Sequence, residues 1–209
     1  MAVPGSPHLV SRRGLLRGAT LLGAAAATAA TVGAAPVWAA GPRVLTADVD
    51  YPEATAYPAT PSNYTASDRP SQYPIEFVVI HVTQETFDDT IGIFQNPERK
   101  VSAHYVVRSE DGHIGQCVRE RDVAWHAGNW DYNTRSIGIE HEGWVDQPEW
   151  FTDEMYAASA ALTATLCDRY GIPKTRDHIL GHSEVPGATH TDPGPHWDWD
   201  RYISLVQSH

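Results

Sequence analysis

The chain has 209 residues, 42% hydrophobic and 20% charged, which suits one globular domain with an ordinary core. Its 15 Lys and Arg against 26 Asp and Glu give a formal net charge of −11, arguing against nucleic acid and against a basic membrane-surface binder. Collagen-like, coiled-coil and wholly disordered compositions are excluded, and two cysteines cannot build a disulfide scaffold.

Residues 1–39 hold three arginines, no acid, and a long Ala/Leu/Thr run ending in small residues, the order of a secretory signal. Ser11-Arg12-Arg13 before Gly14-Leu15-Leu16 is a twin-arginine pattern, an address for export in the folded state. An uncleaved membrane anchor is the alternative, because the run is long enough to span. Pro36 and the small residues near Ala39 favour cleavage there. Removal of residues 1–39 leaves 12 basic against 26 acidic residues, a net of −14. The expected product is a secreted monomer with no stable membrane insertion. Cys117 and Cys167 would then meet an oxidising compartment, where they pair only if the fold brings their Cα atoms close.

Residues 40–74 carry six prolines and no helical or alternating pattern, which reads as an extended Pro-rich arm. Its Tyr51, Tyr57, Tyr64 and Tyr73 offer a means of packing on the domain. The domain proper, residues 75–209, opens with Ile75–Val82, an apolar and β-branched run suited to a buried central strand. Thr86, Asp88 and Asp89 start a helix with Ile91 and Phe94 inward, stopped by Asn96-Pro97. Val101–Ser109 and Ile114–Val118 read as strands joined by a turn at Asp111-Gly112, and Ser136–Glu142 as another strand. Thr152 caps the clearest helix, with the stripe Met155, Ala158, Leu162 and Leu166, ended by Gly171 and Pro173. The expectation is a single α/β domain, a central mixed sheet flanked by helices.

Three segments carry chemistry-bearing residues. His81 closes the first strand and points into whatever cleft lies at its end; a hydrogen-bonded core histidine is the plain alternative. His182, His190 and Asp192 fall within fifteen residues of Gly/Pro-rich chain, and each can ligate zinc. Glu140 and Glu142 stand two apart on one strand, with His141 on the other face, and a carboxylate near a metal-bound water is a usual general base.

His81 at its strand end, SAHYVVR (102–108), EDGHIGQ (110–116), AWHAG (124–128), SIGIEHEG (136–143) and GHSEVPGATHTDPGP (181–195) occur in one order. In this the chain resembles the type 2 N-acetylmuramoyl-L-alanine amidases, zinc hydrolases of peptidoglycan related to phage amidase-lysozymes and peptidoglycan recognition proteins. The resemblance covers roughly residues 70–200. It implies Zn2+ on His81, His182 and Asp192, with Glu140 activating water. It also implies a peptidoglycan or muropeptide substrate cut between N-acetylmuramic acid and L-alanine. His190 stands where many relatives carry Lys, and is expected to steady the oxyanion; Ala103 stands where phage-type relatives carry a catalytic Tyr. Trp125, His126, Asn129 and Trp130 are expected to line the cleft, since aromatics and amides suit sugars and peptides. The competing readings are a non-catalytic peptidoglycan-binding module of the same fold, another secreted zinc hydrolase, and a wall-associated structural protein.

Overall fold

Residues 49–209 are described by a computed structural model; the signal expected over 1–39 and the first part of the expected arm lie outside the described residues. In chain order the elements are β1 (Thr55–Ala56), β2 (Tyr64–Thr65), β3 (Phe77–Val82), α1 (Phe87–Gln95), β4 (Tyr105–Val107), β5 (Ile114–Gln116) and β6 (Val123–Ala124). There follow α2 (Trp130–Arg135), β7 (Ser136–His141), α3 (Asp153–Tyr170), β8 (Ile179–Gly181) and α4 (Trp199–Ser208). Six strands form one sheet in the order β1-β5-β4-β7-β3-β8, and β2 pairs with β6 apart from it. Within the sheet only β4 and β5 run antiparallel, the hairpin pair, so the sheet is mixed as expected.

The two faces of the sheet have different tasks. Val78, Ile80, Val82, Ile137 and Ile139 point to one side, where they meet Met155, Leu162 and Leu166 of α3 and Tyr202 and Val206 of α4. The alternate residues Val79, His81, Gly138 and Glu140 therefore face the other side, by the period of two along a strand. The helix ends follow their sequence signals. Thr86 accepts from Asp89 N at 3.2 Å, Thr152 accepts from Met155 N at 3.2 Å, and Gly171 ends α3 in the left-handed region at φ 70°.

Three findings differ from the sequence reading. Residues 49–74 are built into the domain. Thr55 and Ala56 form the sheet's edge beside β5, Tyr64 and Thr65 pair with β6, and Tyr51 is buried in the core. Arg69 explains the attachment, since its buried guanidinium donates to the carbonyls of Glu120 (2.7 Å), Thr134 (3.0 Å) and Ser136 (2.8 Å). The strand expected over Val101–Ser109 is confined to β4, because Ser102 turns aside to donate its N–H to Trp125 O at 3.1 Å. Helix α4, unread in the sequence, closes the apolar face. Cys117 and Cys167 are both free and buried, in separate clusters. No helix among the described residues is long and apolar enough to cross a membrane.

Candidate metal centre

His81 and Glu140 are register partners on the parallel strands β3 and β7, so they project side by side from one face. His182 follows β8 in a short 3-10 turn over His182–Glu184. A Cβ at Gly181 would lie 2.7 Å from Cδ of Pro193, so this glycine lets the segment 189–195 close over the strand end. Ser183 N donates to Asp192 O at 3.0 Å and fixes that closure. Asp192 thus arrives between the two imidazoles, with Oδ2 3.2 Å from His81 Nδ1 and Oδ1 3.2 Å from His182 Nδ1. One ligand-capable atom from each residue lies within 4.8 Å of the other two, and all three residues are buried.

The electrostatics follow from that packing. Burial would raise the Asp192 carboxyl, but the imidazoles of His182 and His81 set against it outweigh that and hold the group well below the usual carboxylate range. Burial lowers His81 in spite of Asp192. Glu140 is pushed well above its ordinary value, first by burial and then by the charge of Asp192. Its Oε2 is buried with no hydrogen-bond partner. Two imidazole nitrogens and a carboxylate suit a divalent cation such as zinc, and an orphaned carboxylate oxygen beside them suits a bound water.

A cavity of about 680 Å³ opens over this cluster. Its walls include His81, Trp125, His126, Glu140, His182, His190 and Asp192. His190 is the exposed member: its ring stacks on His182 at 4.6 Å and Nδ1 stands 3.8 Å from Asp192 Oδ1. Trp125 is anchored by its indole N–H to Thr65 Oγ1 at 2.9 Å. The lining also includes Arg99 and Lys100, two cations in an acidic chain. The motif reading missed them, although only Val101 separates them from the quoted SAHYVVR segment.

The structure does not bring Asn129 and Trp130 into the cavity wall. Asn129 caps α2, accepting from Tyr132 N at 3.3 Å and donating to Pro186 O at 3.0 Å. Trp130, one residue further, faces solvent at 52% exposure. Glu142 also parts from Glu140. Its carboxylate accepts from Phe87 N (2.9 Å) and Ser109 N (2.8 Å), tying α1 and the β4–β5 hairpin to the end of β7.

Two histidines and an aspartate gathered at strand ends, with a raised carboxyl beside them in an open cleft, define a hydrolase-type site on a mixed α/β sheet. The family model described as N-acetylmuramoyl-L-alanine amidase matches residues 71–195, and the chain belongs to that family. N-acetylmuramoyl-L-alanine amidase A of Achromobacter lyticus is 36% identical over 176 residues, 76% of this chain and 96% of that protein. A crystal structure of a selenomethionine derivative of AmpD matches with a TM-score of 0.62 and 30% identity, over 75% of this chain and 96% of that one. AmiD of E. coli, solved with the substrate anhydro-N-acetylmuramic acid-L-Ala-D-gamma-Glu-L-Lys, matches with a TM-score of 0.54 and 26% identity. That last likeness covers 63% of this chain and 57% of AmiD.

Proposed function

We propose that this chain is a secreted, monomeric, zinc-dependent amidase that hydrolyses the bond between the lactyl carbonyl of N-acetylmuramic acid and L-alanine in peptidoglycan. The observation that carries it is the convergence of His81, His182 and Asp192 beside the unpartnered Glu140 Oε2, at the base of the cleft. Family membership and the substrate complex of AmiD support the choice of bond.

His81, His182 and Asp192 would hold the ion. Zinc in such a site lowers the pKa of a bound water and polarises a carbonyl. Glu140 takes the proton of the attacking water as the new C–O bond forms, then passes it to the L-alanine nitrogen as the C–N bond breaks. A base held neutral by burial must first be ionised, and a cation beside it favours that form. His190 reaches over the same space from the solvent side and steadies the oxygen that gains charge. Arg99 and Lys100 face the anionic groups of the stem peptide. The signal over 1–39 delivers the enzyme to the wall.

The direct test incubates purified muropeptide with the mature chain, with and without a chelator, and identifies the products. Free stem peptide with an N-terminal alanine, lost on chelation and regained with zinc, is expected. Binding without cleavage would support the non-catalytic module instead and overturn the proposal.

A further inference from the structure

The motif reading gives His126 to the substrate, but the fold gives both of its ring nitrogens other partners. Nδ1 lies 2.9 Å from His81 Nε2, and Nε2 lies 3.2 Å from Ser136 Oγ. Ser136 Oγ also lies 2.6 Å from the carbonyl oxygen of Tyr132.

That last contact fixes the direction of the whole chain. A carbonyl can only accept, so the single hydroxyl proton of Ser136 goes to Tyr132 O. Ser136 Oγ then accepts from His126 Nε2–H. A neutral imidazole carries one ring proton, which leaves His126 Nδ1 as the acceptor for His81 Nε2–H. His81 Nδ1 is therefore the bare nitrogen, and it faces Asp192 Oδ2 at 3.2 Å. Two electron-rich atoms opposed at that distance call for a cation between them. The reverse direction would turn the Ser136 proton to His126 and leave two oxygens 2.6 Å apart with no proton between them.

The surroundings hold the ring in this pose. His126 is 6% exposed, and its N–H and that of Ala127 both donate to Asn133 Oδ1, at 3.1 and 2.8 Å. The ring lies flat in a slot made by Gly138, where an added Cβ would stand 2.5 Å from the ring Cγ.

We propose that His126 is a positioning residue, which holds His81 as the Nε2–H tautomer and so keeps its Nδ1 lone pair aimed at the metal position. This rests on the zinc reading above. Partners behind a metal-binding histidine set its tautomer and ring orientation, and their loss costs about 10–100-fold in metal affinity.

The experiment measures zinc dissociation constants by chelator competition for the wild type, His126→Phe and His126→Asn, together with long-range 1H–15N spectra of the wild-type imidazoles. Phe fills the slot without an acceptor, so its affinity is expected to fall about 10–100-fold. Asn returns an acceptor near the Nδ1 position and is expected to regain most of that loss. The spectra are expected to show Nε2–H on both His81 and His126. If wild type takes up no zinc, the zinc reading falls and this inference with it. If wild type binds zinc and His126→Phe binds it equally well, only this inference falls. A proton on His126 Nδ1 also overturns it, and decides the matter even if the Phe variant does not fold.

Discussion

Glu140 and Glu142 lie two residues apart, yet one ends without a partner over the cleft and the other with two backbone N–H groups. Their chemistry follows from what faces them. Glu140→Ala is expected to retain zinc and lose turnover by about 10²–10⁴-fold, the usual worth of a positioned proton carrier. Zinc content and kcat measured on the same sample check this, and an unchanged rate removes Glu140 from the mechanism. Replacing Arg99 and Lys100 together by Ala is expected to raise KM for an anionic stem peptide with little change in kcat, since these groups line the cavity without belonging to the ligand cluster. At this scale the sequence was legible where a residue's partners lie in the same short motif, as with His182 and Asp192. His81 was reached through its strand end and the motif order. His126 lines the cleft, but its ring partners on β3 and at the start of β7 lie far off in sequence and were not legible in the motif. At Asn129 and Trp130 residue type suggested a ligand contact but not the helix cap and the solvent-facing ring that the chain makes of them.

Helices α1 and α3 were read from their ends because a cap is a local event. Thr152 satisfies Met155 N, and its hydroxyl also donates to the carbonyl of Ser109, which joins α3 to the hairpin. Thr152→Ala is expected to lower stability by about 1–2 kcal/mol, read as a shift in urea midpoint at constant slope. The hairpin turn docks on the same helix. Gly112 has φ 70°, and a Cβ there would lie 2.6 Å from Glu154 O and 2.8 Å from Ala158 Cβ. Gly112→Ala therefore adds backbone strain to a steric clash, at a cost of about 2 kcal/mol or more. A Gly112→Ala protein as stable as wild type would show that the turn can move off the helix. What the sequence hid were elements made by pairing. β1 and β2 are two residues each, too short to carry a period, and exist only because β5 and β6 offer them edges.

Beyond single elements, the sheet links the site to the opposite core. His141 Nδ1–H donates to the His81 carbonyl at 2.8 Å, and its Nε2 accepts from Ser159 Oγ on α3 at 2.6 Å; Ser159 Oγ in turn lies 2.8 Å from Tyr202 OH on α4. Burial drives His141 down to about 3, only partly opposed by its bond to the His81 carbonyl. In the unfolded chain the same group titrates near 6.5. Below that value the unfolded chain binds a proton that the folded one refuses, so stability is full at neutral pH and declines as pH falls toward 3. The decline is expected to reach about 1.4 kcal/mol per pH unit for this residue. Urea midpoints between pH 7.5 and 4 check it, and a flat profile would contradict it. The mixed sheet and the helices α1 and α3 were legible because long apolar runs and caps are sequence-local. The start of the domain was not, because prolines in 49–74 resemble those of a free linker.

That opening segment also governs how the molecule behaves among its own copies. After β1, Tyr57 and Ala59 continue along the hairpin, donating to Gln116 O and Cys117 O, both at 2.8 Å. The opposite edge, β8, is three residues long and runs at once into the turn that carries His182. Neither side of the sheet therefore presents a long row of unsatisfied backbone groups, the feature through which sheets adhere edge to edge. A protein trimmed to begin at Ile75 would keep every residue of the ligand cluster and expose β5 as an open template. The Pro-rich stretch is therefore expected to guard against self-association, its removal making the enzyme adhesive rather than merely shorter.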